Sequence, residues 1–138
     1  MSNEFRGVGN LGAAPTLKTG IEVDGEPRSV ANMRIFFDRP VKTDDGFEDK
    51  GGFWLDVDLW GKRAERAAKL LPKGARVVAT GSLEMQTWSD KESGLEEQSK
   101  LVLHANRVSL DLSRVDKIVL HKKGERQQVD VTDEGHVD

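Results

Sequence analysis

The sequence predicts an all-β fold, a small five-stranded Greek-key barrel carrying one short helix. Three observations predict it. Apolar residues alternate with polar ones at period two in several short stretches, and glycine-, proline- and aspartate-rich turns separate those stretches. A single stretch has helical spacing. The chain of 138 residues fits one domain with a tail and cannot hold two ordinary domains.

The elements follow in chain order. A first strand is expected from Glu4 to Leu11, closed by Gly12 and Pro15. Leu17 to Val23 alternates as a second strand, and Asp24-Gly25 supplies a turn. Ser29 to Asp38 forms a third apolar stretch. Residues 39–52 contain Pro40, Asp44-Asp45-Gly46 and Gly51-Gly52 and read as a mobile loop. Phe53 to Trp60 is the clearest strand. Ala64, Ala67, Ala68 and Leu71 then recur at i, i+3, i+4 and i+7, which predicts a helix over Arg63 to Leu71. Glu65 and Lys69 add an i,i+4 pair, and Pro72 with Gly74 ends the helix. Arg76 to Trp88 and Lys100 to Leu112 return to strand, joined by a polar loop over residues 89–100 around Gly94. A succession of short strands with one helix set among them matches an OB-fold. That domain spans residues 1–112; residues 113–121 can add a further short strand through Ile118, Val119 and Leu120; and residues 122–138, polar and acidic, are expected to be disordered.

Composition narrows the function. Hydrophobic residues make up 36% and charged residues 33%, so the core should be thin. There is no cysteine, which excludes disulfides and thiolate metal sites, and His104, His121 and His136 show no ligand spacing. No metal and no cofactor is expected. The longest apolar runs fall far short of the roughly 20 residues that span a bilayer, and the start lacks a signal peptide's apolar stretch, so a cytoplasmic protein without membrane contact is expected. Net charge is −3, with 16 Lys and Arg against 17 Asp and Glu over residues 1–110. Any phosphate binding must come from local clustering and not from a global field.

The tryptophans give the strongest clue. In Phe53–Trp60 the side chains alternate, so Phe53, Leu55, Val57 and Leu59 form the core face, while Trp54 and Trp60 share the other face with Asp56 and Asp58. On the next strand Val77, Ala79, Gly81, Leu83 and Met85 take the inner face, and Trp88 falls outside with Glu84 and Gln86. Phe36, with Arg34, faces outward from the third strand. One outward tryptophan is readily explained by a protein interface. Three out of three suit a platform on which the bases of a single strand stack, at about 1–3 kcal/mol per base whatever the sequence. Arg34, Lys62, Arg63, Lys73 and Arg76 are the candidates for phosphate contact, with Lys18 and Arg107 behind them; Asp56, Asp58 and Glu84 oppose it.

Gly7-Val8-Gly9-Asn10-Leu11-Gly12 spells the dinucleotide-binding G-x-G-x-x-G, but no helix follows for some fifty residues to hold a pyrophosphate. Tight packing and a strand bend explain the glycines better. No nucleophile–base pairing stands out, so no catalytic residues are assigned and no enzyme is expected.

The residues resemble the bacterial single-stranded DNA-binding proteins. The resemblance rests on Gly9-Asn10-Leu11-Gly12, Val30-Ala31-Asn32, Trp54 through Leu59-Trp60-Gly61-Lys62-Arg63-Ala64-Glu65, Leu71-Pro72-Lys73-Gly74, and Gly81-Ser82-Leu83 with Trp88-Ser89-Asp90, in family order over roughly residues 5–110. It implies an OB-fold, a homo-oligomer (usually a tetramer, alternatively a dimer), and sequence-tolerant binding of single-stranded DNA in replication, repair or recombination. It also implies stacking by Trp54, Trp60 (a phenylalanine in the usual pattern) and Trp88. Three departures stand out. Pro40 occupies the place of a further stacking tryptophan, and Glu84, Gln86 and Thr87 replace basic residues. The tail lacks the Pro-Phe anchor that recruits partner proteins, so the usual tail-docking partners are not expected. These departures fit a specialised paralogue of a plasmid or mobile element. Two rival readings remain: an OB-fold interaction module, or its primosomal relative, whose outward aromatics meet a protein; and a nucleotide-using enzyme resting on the glycine motif.

Overall fold

A computed structural model describes residues 3–89 and 97–121. Among the described residues eight strands and one α-helix follow one another: β1 (Phe5–Leu11), β2 (Thr16–Val23), β3 (Glu26–Phe37), β4 (Pro40–Thr43), β5 (Gly46–Asp49), β6 (Phe53–Trp60), α1 (Lys62–Leu70), β7 (Arg76–Trp88) and β8 (Gln98–Leu110). The main sheet runs β1-β7-β8-β6-β3-β2, and a further β1–β3 pairing closes it into a ring. The ring proper has five strands, as expected. β2 is not an additional stave: it continues β1 along the same edge of β3, Leu11 facing Ile35 and Thr16 facing Asn32. β6 and β8 pair in parallel and the other strands antiparallel. Asp24 (φ 52°) and Gly25 (φ 80°) make the tight β2–β3 turn, with both central residues in the left-handed region that a two-residue hairpin requires.

The core is thin and apolar. Ile35, Val57, Val77 and Leu103 are fully buried, one each from β3, β6, β7 and β8, each contributing on the order of 1.5–3 kcal/mol. Ala64 and Ala67 seat α1 against this core, and Ser29 of β3 donates to Glu65 at 2.9 Å. The small alanine face lets the helix pack closely on β3, β2 and β6. The glycines of β1 are packing residues: a Cβ on Gly9 would run into the carbonyl of Phe36 across the β1–β3 contact, and no helix begins in the motif.

Four expectations are corrected. Residues 40–49 are not an irregular loop but the β4–β5 hairpin, Lys42 facing Phe47 across it. The Asp-Asp-Gly turn that suggested a loop is the hairpin's own connection. The extra strand through Ile118–Leu120 is absent. A short 3₁₀ turn, Leu112–Arg114, follows β8, and Val119 and Leu120 stand 84% and 81% exposed; the closed ring leaves no edge within it for another strand to join. Met85, assigned inward, is exposed, because β7 and β8 run past the barrel as an arm that buries nothing on β7 beyond Gly81. Phe53 is likewise about half exposed, since it ends its strand at the barrel mouth, though its ring packs at the edge of Phe5 and against Phe37. The expected loop around Gly94 and the expected disordered tail lie in residues 90–96 and 122–138, outside the described residues.

Candidate nucleic-acid interface

The outward sides of β3, β6, β8 and β7 make one continuous wall, because the register lines up their outward residues in rows. Phe36 faces Trp54, Arg34 faces Asp56, and Asn32 faces Asp58; Asp56 and Asp58 face Val102 and His104; these in turn face Glu84 and Ser82. All three tryptophans lie on this wall and are exposed to 47% (Trp54), 38% (Trp60) and 45% (Trp88). Trp54 and Trp60 stand at opposite ends of β6, six residues and about 20 Å apart. Trp88 rides on the β7–β8 arm, opposite Gln98.

Trp54 is held in place. Phe36 lies against it with ring centroids 5.3 Å apart, the guanidinium of Arg34 sits 5.5 Å from the ring centre, and Gly12 leaves room for the ring's edge. A ring fixed this way offers a face to a ligand without losing much rotamer freedom. Between the tryptophans lies a shallow groove of about 470 Å³, whose lining includes Lys18, Asn32, Arg34, Asp56, Asp58 and Lys100.

Charge on the groove is paired in a cross-strand ladder. Asp56 binds Arg34 at 2.7 Å and Lys100 at 2.8 Å. Lys100 foremost, then Arg34, hold its carboxyl below the usual aspartate range against the opposing effect of burial. Asp58 accepts from Asn32 at 2.8 Å. Asp56, one of the acids that in the sequence oppose phosphate binding, is thus offset by two cations beside it.

Not every predicted contact residue belongs to the wall. Arg34 does, and Lys18 lines its groove. Arg76 does not: it grips Asp38 with two hydrogen bonds of 3.0 and 3.1 Å and reaches Asn10 at 3.3 Å, tying the start of β7 to β3 and β1. Both partners are only about a fifth exposed, so Arg76 is a structural residue. Arg63 donates at 2.6 Å to the carbonyl of Asn106, the extra residue of a bulge in β8 where the register to β7 shifts. Lys62 and Arg63 lie on α1, and Lys73 in the turn after it, away from the wall's rows. Lys100, Gln86 (placed outward in the sequence but given no role) and His104 were not among the predicted contact residues. The period-two alternation of β8, Lys100-Val102-His104 against Leu101-Leu103-Ala105, was the signal that could have found the first and last.

The family model for the single-strand binding protein family matches residues 3–111, which hold the barrel and the whole wall. The chain belongs to that family. Among curated relatives, a single-stranded DNA-binding protein of Synechocystis is 31% identical over 114 residues, 83% of this chain and 87% of that protein. One of Corynebacterium glutamicum is 32% identical over 116 residues, covering 79% of this chain but 48% of that longer protein. The fold of a small single-stranded DNA-binding protein from Streptomyces coelicolor superposes with a TM-score of 0.66 at 18% identity, over 83% of this chain and 98% of that one. Membership brings the family's property, binding of single-stranded DNA, and its habit of forming homo-oligomers. Among the described residues no helix is long and apolar enough to cross a membrane, and no cluster of His, Asp or Glu is arranged to hold a metal ion.

Proposed function

We propose that this family member holds single-stranded DNA along the β3-β6-β8-β7 wall and acts by binding alone. Trp54, Trp60 and Trp88 stack on bases, Phe36 backs Trp54, and Lys18, Arg34 and Lys100 meet the phosphates. The carrying observation is that all three tryptophans, half covered and half open, stand on one wall with a groove between them. An exposed tryptophan of this kind favours a flat π-partner, and every base offers one.

The test is intrinsic tryptophan fluorescence during titration with oligo(dT), with duplex DNA as control. Quenching by the single strand alone is expected. Substituting Trp54 or Trp60 with alanine should each weaken binding by about 1–3 kcal/mol, about fivefold to more than a hundredfold. Unchanged fluorescence and unchanged affinity in the folded variants would assign these rings to a subunit contact instead.

A further inference from the structure

Histidine is the side-chain type that ordinarily changes charge nearest neutral pH, and the wall carries one, His104, paired with Asp58 on one side and Ser82 on the other. Its Nε2 lies 2.5 Å from Glu84 Oε1 and its Nδ1 lies 3.6 Å from Asp58 Oδ2. Each ring nitrogen therefore faces a carboxylate, one from β7 and one from β6. A neutral imidazole carries a proton on one nitrogen only; the imidazolium donates from both. The other charged groups of the groove beside it are Lys18 of β2, Arg34 of β3, Asp56 of β6 and Lys100 of β8, with Gln86 donating to the same Glu84 oxygen at 3.4 Å, while Arg107 of β8 lies further along, paired with Thr80. With the imidazole neutral, three cations (Lys18, Arg34, Lys100) balance three carboxylates (Asp56, Asp58, Glu84). One proton tips the face to net positive. The chain as a whole is acidic, so this local balance decides whether a polyanion is welcomed.

We propose that His104 is a proton-operated switch for single-stranded DNA binding, raising affinity when its imidazole is charged. The inference rests on the reading that this wall carries the strand. The imidazolium adds one positive charge on the strand beside β6, level with Asp58, which lies between Trp54 and Trp60. It sits between Glu84 and Asp58 and offsets one of their two negative charges.

The experiment measures affinity for end-labelled oligo(dT) by anisotropy at about 0.1 M salt, at about pH 8 and about pH 5.5, a window that histidine titration spans. Circular dichroism confirms folding at both. The intact protein should bind about fivefold more tightly at the lower pH, and its log–log salt slope should steepen by about 0.7, the effect of one further phosphate neutralised. His104→Gln should bind alike at both pH values. Glu84→Gln, which raises the charge of the face by one at every pH, should bind about fivefold more tightly than the intact protein at pH 8. Affinity of the intact protein that ignores pH, or a pH response that survives in His104→Gln, overturns the proposal. Trp54→Ala separates this from failure of the underlying reading. If it weakens binding while pH has no effect, only the switch is lost; if it too has no effect, the wall is not the DNA path.

Discussion

At the scale of single residues, neighbouring charges here have unlike tasks. Arg34 and Lys100 share Asp56 on an open groove, whereas Arg76 and Asp38 form a largely covered pair that joins three strands. The Arg76 hydrogen bonds hold the Asp38 carboxyl below its usual range, burial opposing them. A carboxyl depressed in the folded state stabilises the fold above its unfolded value near 4 and loses that contribution as pH falls through the folded value. Asp38→Asn should therefore cost about 1–2 kcal/mol at neutral pH, and the gap to the parent should close below about pH 4. Urea titrations of both proteins at a series of pH values check this. The sequence showed which faces the tryptophans occupy, because period two is written in consecutive residues. It could not show that Arg76 is taken, because its partners Asp38 and Asn10 lie 38 and 66 positions away and only strand register joins them.

At the scale of elements, strands with a buried face were legible and the hairpin without one was not. β6 and β7 run between the expected residues, since each alternates against a core. The β4–β5 hairpin has no buried residue, and its Phe47 is 73% exposed, so no hydrophobic pattern announces it. The same fact predicts its energetic independence. Replacing residues 42–47 with Asn-Gly, which keeps the pairing of Val41 with Glu48, should cost less than about 1 kcal/mol by thermal unfolding. A larger loss would show that the hairpin braces β3 and β6. The Ile118–Leu120 run misled in the opposite direction: its β-branched, apolar residues favour a strand, but propensity does not make one where no edge is offered.

At the scale of the whole molecule, an acidic protein that takes up a polyanion along the proposed wall has few cations with which to do it. Lys18, Arg34 and Lys100 are the cations of the groove, and two of them already hold Asp56. The salt dependence should therefore be shallow, with a log–log slope per protomer of about −0.7 for each of only a few phosphates. Affinity for oligo(dT) across a salt series measures it, and a slope near about −6, equivalent to eight contacts, would show a larger basic track than the wall contains. Composition disclosed the absence of a global field; the local ladder that replaces it needed the parallel pairing of β6 with β8, which brings Lys100 to Asp56.

Ring closure by the first strand also sets the order in which this molecule can form. β1 is sealed to β7 by pairs such as Val8 with Val78, and β6 waits for β8, which ends at Leu110. A chain emerging from the ribosome can make the β2–β3 turn and extend it through β6, but it cannot shut the barrel until the last strand is out. For several seconds of synthesis, at roughly 5–20 residues per second, the inner faces of β3 and β6 stand without their cover. Long-range pairings of this kind fold on the millisecond-to-second scale. The finished protein is a closed barrel, and the growing chain passes through an interval in which its inner face is an open, adhesive sheet.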